Sequence, residues 1–273
     1  MDIRQIKENP AQVSDKDLLE QFFVYNREQM AGYREIENLP EWPFDVNVPK
    51  EQEILKSFIG NVIEELTEGF ESYNAVYELL QPEGFNMDRV KEWEPIQNHL
   101  LNANEELADA MGFYLALFEF SNIDDKDILD YRDCRSLNEI FENGVSMVLS
   151  ECPSIDYHHM GFLIFHFADL MEDPVLEPLL KGYLEIDDLH RDNIRIILFQ
   201  IIYHLSTARN LLKSRIWKQT PVMTKELEYQ EELVRSFYLF TGYLLYIGVS
   251  PRDLYVLFFK KQRLNLWRQN TNY

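Results

Sequence analysis

Glycine, cysteine, basic residues and long apolar runs are all in short supply in this chain. Only ten glycines occur in 273 residues, and stretches of alternating apolar and polar residues are scarce, which argues against a β-rich protein. The two cysteines, Cys134 and Cys152, fall in no metal-type or redox-type pair, so a reducing, cytoplasmic setting is expected. No apolar run reaches membrane-spanning length, and the opening "MDIRQIKENP" has no apolar signal region; no membrane partner is expected. The greasiest stretches, "MGFLIFHFADLM" and "FYLFTGYLLYIGV", are short and read as buried helices. Lys and Arg number 26 against 47 Asp and Glu, a net charge of −21, which excludes a general nucleic-acid binder, whose footprint is basic. There is no Gly-rich phosphate loop, serine-nucleophile elbow or Cys/His catalytic signature.

Apolar residues are plentiful, at 46% of the chain with 14% aromatic, enough for a real core in one large domain or two. They recur at three- and four-residue spacing, which predicts helices at about 16–36, 50–80, 88–121, 136–150, 157–171, 175–184, 190–214, 224–247 and 251–269. Breaks are expected at "NLPEWPFDVNVP", "QPEG", "ECPS", "EDPVLEP" and "KQTPV". Ser14 and Ser250 are predicted helix caps, with Pro251 at the first helical position. The class is all-α. "EELADAMGFYLALFEF" (105–120) and "EELVRSFYLFTGYLLY" (231–246) share an opening and a greasy helix, which suggests two related halves, 1–150 and 151–273.

The acids are patterned. In "NVIEELTEGFESY", Glu65 and Glu68 are three apart on a helix, beside Glu64 and Glu71; in "NEELADA", Glu106 and Asp109 repeat the spacing. Such pairs are common on solvated faces, but these lie beside apolar stripes, Ile63, Leu66 and Phe70 in one helix and Leu107, Met111 and Leu115 in the other. Two such helices face to face gather four hard oxygen ligands that repel one another, for which Mg2+ or Mn2+ is the natural partner. A second grouping, His158, His159, His166 and Asp169 in "DYHHMGFLIFHFAD", reads more simply as core or interface histidines. The segment "KKQRLNLWRQNTNY" carries Lys260, Lys261, Arg263 and Arg268 without one acid. It is either a solvated helix end, where cations are favoured, or a surface that meets an anion.

"EELTE" followed by "EELAD" resembles the Glu-x-x-Glu … Glu-x-x-Asp metal signature of the all-α nucleoside triphosphate pyrophosphatases, the superfamily of MazG-type enzymes and dimeric dUTPases. "KQRLNLWRQNTNY" is similar to the late Lys-x-x-Leu-Asn-x-x-Arg-Gln-x-x-Gly-Tyr element of dimeric dUTPases and phage dCTP/dUTP pyrophosphatases, through Lys261, Leu264, Asn265, Arg268, Gln269 and Tyr273. "LKSRIWKQTPVMT" looks like a basic Trp-Lys stretch of the same family, and "LLEQFFVYNREQ" like its first motif. Departures are the absence of a Lys-Trp-Trp element, Gly112 where a His often follows the second acid pair, and Asn272 for the penultimate Gly.

The resemblance implies a doubled four-helix-bundle-like fold whose second half has lost its ligands, with Glu232 and Arg235 standing where the first half has Glu106 and Asp109, and Tyr203 and Ser206 opposite them. It implies a homodimer that splits a deoxynucleoside triphosphate, dUTP or dCTP, to the monophosphate and pyrophosphate. Glu65, Glu68, Glu106 and Asp109 would hold Mg2+, with Glu65 working on the attacking water. Lys261 and Arg268 would clamp phosphates, Asn265 and Tyr273 would complete the nucleotide contacts, and Asn26 would meet the base. A broader house-cleaning pyrophosphatase and an inactive helical protein of the same fold are the alternatives.

Overall fold

A computed structural model describes Ser14 and residues 17–80, 93–155, 188–213 and 222–271. Among them are eight helices and no strand: α1 (Leu18–Glu37), α2 (Pro49–Leu80), α3 (Trp93–Phe120), α4 (Asp125–Asp130), α5 (Leu137–Glu151), α6 (Asp188–Leu211), α7 (Glu226–Tyr246) and α8 (Pro251–Thr271). The all-α class read from periodicity is therefore correct. The helices predicted at 157–171 and 175–184 lie outside the described residues, as do His158, His159, His166 and Asp169.

Two local expectations need correction. Helix α4 was not expected, because six residues are too few to show a period. It is held by a capping box in which the Asp124 side chain accepts from Asp127 N and Asp127 accepts from Asp124 N. Ser14 does not cap α1. The N-cap is Asp17, whose own N–H bonds to the Ser14 carbonyl at 2.9 Å, so a turn precedes the helix. Ser250 does cap α8, accepting from Asp253 N at 3.2 Å while Asp253 accepts from Ser250 N at 3.1 Å.

Packing follows from which faces are apolar. Helix α7 buries residues all round, from Tyr229 and Leu233 through Ser236–Leu244 to Tyr246, as a helix at the centre of a core must. It packs along α5 and α6, while α2 packs along α3. Rings join these layers: Tyr114 of α3 stacks on Phe240 of α7 at 5.3 Å, and Phe118 meets Phe237 edge-on at 5.2 Å. One buried cluster runs continuously from Leu18 to Phe258. Helices α1 and α8 pack on each other and on α3, with Phe22 against Tyr255 at 5.5 Å and Phe258 at 4.9 Å. Helix α8 turns away from α7 at 104°, and among the described residues no single helix is long and apolar enough to cross a membrane.

Candidate metal and anion site

Helices α2 and α3 meet closely enough to bring acids together. Val62 and Leu66 of α2 and Leu107 and Met111 of α3 are buried, which leaves Glu65, Glu106 and Asp109 half-buried at the edge of that seam. Gly69 lies at this crossing, where a Cβ would make an ordinary 3.5 Å contact with Glu106 Cβ. Glu65, Glu106 and Asp109 each offer an oxygen within 4.8 Å of the others. Glu68, expected as a fourth ligand, is exposed and outside this trio.

Burial first, then a hydrogen bond with Glu106 and the charges of Asp109, Glu106 and Glu68, pushes Glu65 up to about 9. Glu65 thus holds a proton against its neighbour at neutral pH. A carboxylate cluster lowers its charge by keeping a proton or by binding a cation, and three hard oxygens at this spacing fit a divalent ion such as Mg2+ or Mn2+. Burial also pushes Asp109 upward, while the Lys261 ammonium pulls it down.

Lys261 points into this acidic group. Its Nζ lies 2.7 Å from Asp109 Oδ2 and 3.1 Å from Glu105 Oε2. Burial alone would depress the Lys261 ammonium, but the charges and hydrogen bonds of Asp109 and Glu105 outweigh it and hold its pKa above the ordinary value. Asp109 and Lys261 both shift upward, which favours a neutral acid in one case and a charged base in the other. The 2.7 Å contact decides for the ionised pair.

A cavity of about 310 Å3 opens beside the trio. Glu65 of α2 and Asp109, Gly112 and Phe113 of α3 form one side; Asn26, Gln29 and Met30 of α1 and Gln262, Asn265, Arg268 and Gln269 of α8 form the other. Asn26, Asn265 and Arg268 thus lie where expected relative to the acids, and Tyr273 is outside the described residues. Asn26 is buried, and its amide can bond the Gly112 carbonyl and Ala116 N–H at 3.3 Å or, turned over, the Glu119 carboxylate at 3.5 Å. The first arrangement satisfies both ends of the amide, and we adopt it.

Glu105, Gln29, Phe113 and Gln262 were not singled out from sequence, and Gln269 was named there only as part of the terminal element. The helical spacing of Gln262, Asn265 and Gln269 shows that they share a face, but not that Gln262 is 4% exposed with an Oε1 that has no hydrogen-bond partner among the described residues. The basic run divides its roles: Lys261 meets acids, Arg263 lies over the Phe259 ring at 5.2 Å, and Arg268 reaches the cavity.

Around Glu232 and Arg235 of α7 there is no carboxylate trio among the described residues. His204 joins Glu232 Oε2 through Nδ1 at 2.6 Å and Glu151 Oε2 through Nε2 at 2.8 Å, while Arg235 Nε holds Glu151 Oε1 at 2.7 Å. The residue that meets Glu232 is His204, which lies between Tyr203 and Ser206 on α6. Compared with known protein families, curated proteins and solved structures, the chain shows no match.

Proposed function

We propose that this protein is a Mg2+-dependent deoxynucleoside triphosphate pyrophosphatase, acting first on dUTP and next on dCTP. The observation that carries the reading is one cavity shared by Glu65 and Asp109 on one wall and Asn265 and Arg268 on the other, with Glu106 completing the acid trio. An anionic substrate needs cations on both flanks of an acidic site, and the forked guanidinium of Arg268 suits phosphate. The substrate class rests on the resemblance of the "EELTE … EELAD" and "KQRLNLWRQNTNY" elements to dimeric dUTPases.

Glu65, Glu106 and Asp109 would hold the ion, which when bound neutralises phosphate charge and acidifies a water. Glu65 would orient the attacking water or, once its own proton has left on metal loading, take a proton from it. Arg268 grips phosphate oxygens and Asn265 meets the sugar or base. The bond that opens is the one between the α- and β-phosphates, which yields the monophosphate and pyrophosphate. Gly112 adds no side chain to the cavity wall, an observation that favours tolerance of several bases as the second reading. A homodimer belongs to the proposal, with Phe199 and Tyr203, exposed and four residues apart on α6, as an apolar face for it. The buried free thiols of Cys134 and Cys152 suit a cytoplasmic setting.

The test is pyrophosphate release from a panel of deoxy- and ribonucleoside triphosphates with Mg2+ or Mn2+. Release that is strongest with dUTP and dCTP is expected. A folded protein that releases none from any of them is not this enzyme.

A further inference from the structure

A lysine that only waits for phosphate would keep its ammonium free. Lys261 does not: it is 7% exposed and places Nζ 2.7 Å from Asp109 Oδ2 and 3.1 Å from Glu105 Oε2. Asp109 is one of the three acids whose oxygens converge within 4.8 Å, so the ammonium is paired with a carboxylate that a metal ion would also use. The contact is built in by the packing of α8. Phe258 and Tyr255 are locked against Phe22 of α1, and Leu264 is buried one turn on, so the Lys261 backbone is fixed beside α3. The next residue, Gln262, lines the same cavity, is 4% exposed, and has a buried Oε1 without a hydrogen-bond partner among the described residues. A buried acceptor left unmade costs free energy unless a ligand donor completes it.

We propose that Lys261 is the resident cation of this acidic cluster, and that a divalent ion loads by displacing its ammonium from Asp109. The inference rests on the metal reading above and adds the regulation of that site. An ammonium in contact with Asp109 and a divalent ion on the same carboxylate repel each other and compete for its negative charge. Asp109 therefore has two partners in turn. Once displaced, the flexible four-carbon stem of Lys261 carries its charge either to Glu105 alone or along α8 toward the anion held at Arg268. Metal loading then supplies a phosphate-binding cation, so metal and triphosphate bind cooperatively, each favouring the other by linkage. The free protein consequently binds metal weakly and fills its site when substrate is present.

The experiment uses the full chain. Mn2+ binding, followed by the loss of its free electron-paramagnetic signal, is compared in the parent, Lys261→Met, Lys261→Gln and Glu106→Ala, each shown to be helical by circular dichroism. A charge-assisted hydrogen bond is lost on loading in the parent only, so both Lys261 variants are expected to bind Mn2+ about tenfold more tightly or better. A second readout needs no variant: acetylation of Lys261 in the parent, read by mass spectrometry, rises when Mn2+ is added. Equal or weaker Mn2+ affinity in both Lys261 variants, with Glu106→Ala still abolishing binding, overturns the displacement and leaves the metal site standing. So does a Lys261 that stays protected at saturating Mn2+. Absence of any Glu106-dependent Mn2+ binding overturns both readings.

Discussion

Arg27 reaches from α1 to α3 and sets its Nε 3.0 Å from Glu119 Oε1, a carboxylate whose side chain is only 2% exposed. Burial pushes Glu119 up to about 7 even though the Arg27 guanidinium pulls the other way. The ordinary value is 4.5, so between these two values the folded chain keeps a proton that the unfolded chain has shed. The contribution of Glu119 to stability is full below pH 4.5 and is lost as pH rises through about 7. Glu119→Gln removes this dependence. Denaturant titrations should find the variant gaining on the parent from pH 5 to pH 8, by up to roughly 3 kcal/mol. A parent-minus-variant difference that does not move with pH would rule out a buried proton here.

Because Glu65 is held up to about 9 chiefly by burial, a metal ion has to displace a proton to reach it. Mg2+ affinity should therefore rise with pH between 6 and 8, by up to about tenfold per unit for one proton released. Calorimetry in buffers of different ionisation heat would count that proton directly. Glu68→Ala, at an exposed position outside the trio, should leave the affinity nearly unchanged, whereas Glu106→Ala abolishes it. Equal losses from the two would mean that Glu68 swings inward and the trio is the wrong ligand set.

The helices were legible because α1, α2, α7 and α8 carry stripes long enough to set a period, with Pro and Gly at their breaks. Helix α4 is too short for that test, though Asp124 and Asp127 carry its capping signal. Three of the four expected ligands converge and one does not, for a geometric reason. A step of three residues leaves two side chains about 60° apart on a helix; α3 turns both Glu106 and Asp109 to the α2–α3 seam, whereas α2 turns Glu65 to it and leaves Glu68 exposed. Lys261 was legible as a cation but not in its contacts, since a long stem on α8 reaches acids on α3 as easily as an anion in the cavity. His204 was hidden for the opposite reason. An isolated histidine in "YHLSTARN" signals nothing until α5 brings Glu151 and α7 brings Glu232 to its two nitrogens.

Gly144 of α5 and Gly242 of α7 let two helices cross in backbone contact. A Cβ on Gly144 would run into the Tyr238 carbonyl and lie 2.6 Å from Gly242 N, and one on Gly242 would run into the Gly144 carbonyl. Gly144→Ala or Gly242→Ala should each destabilise the fold by about 2–3 kcal/mol or more, as overpacking against rigid backbone does. Gly60 is the control. A Cβ there meets nothing within 4 Å, so Gly60→Ala in mid-helix should stabilise by up to about 1 kcal/mol. Thermal melts of the three variants decide it, and a harmless Gly144→Ala would deny the close crossing.

Arg268 stands at the cavity because the end of α8 is tied to α1. Gln269 Nε2 donates to the Gln29 carbonyl at 3.4 Å, and a Cβ on Gly32 would come within 2.8 Å of Gln269 Oε1, so the two helices lie close there. Arg263, five residues earlier, is exposed and spends its guanidinium over the Phe259 ring. Both are surface cations on one helix, and only Arg268 faces the space beside Glu65 and Asp109. If the basic run is merely a solvated helix end, the two arginines are equivalent. If Arg268 grips phosphate, Arg268→Ala should lower kcat/KM for dUTP and dCTP by about tenfold or more, the worth of a charge-assisted hydrogen bond. Arg263→Ala should change it little. Arg268→Lys should recover part of the loss, because a point charge restores attraction but not the bidentate geometry of the guanidinium. Asn265→Ala should separate the two ends of the substrate, reducing turnover of nucleotides more than that of inorganic triphosphate. The comparison is made at saturating Mg2+ so that metal loading does not enter. Equal rates for Arg263→Ala and Arg268→Ala would reduce the basic run to a helix terminus and take the phosphate site away from α8.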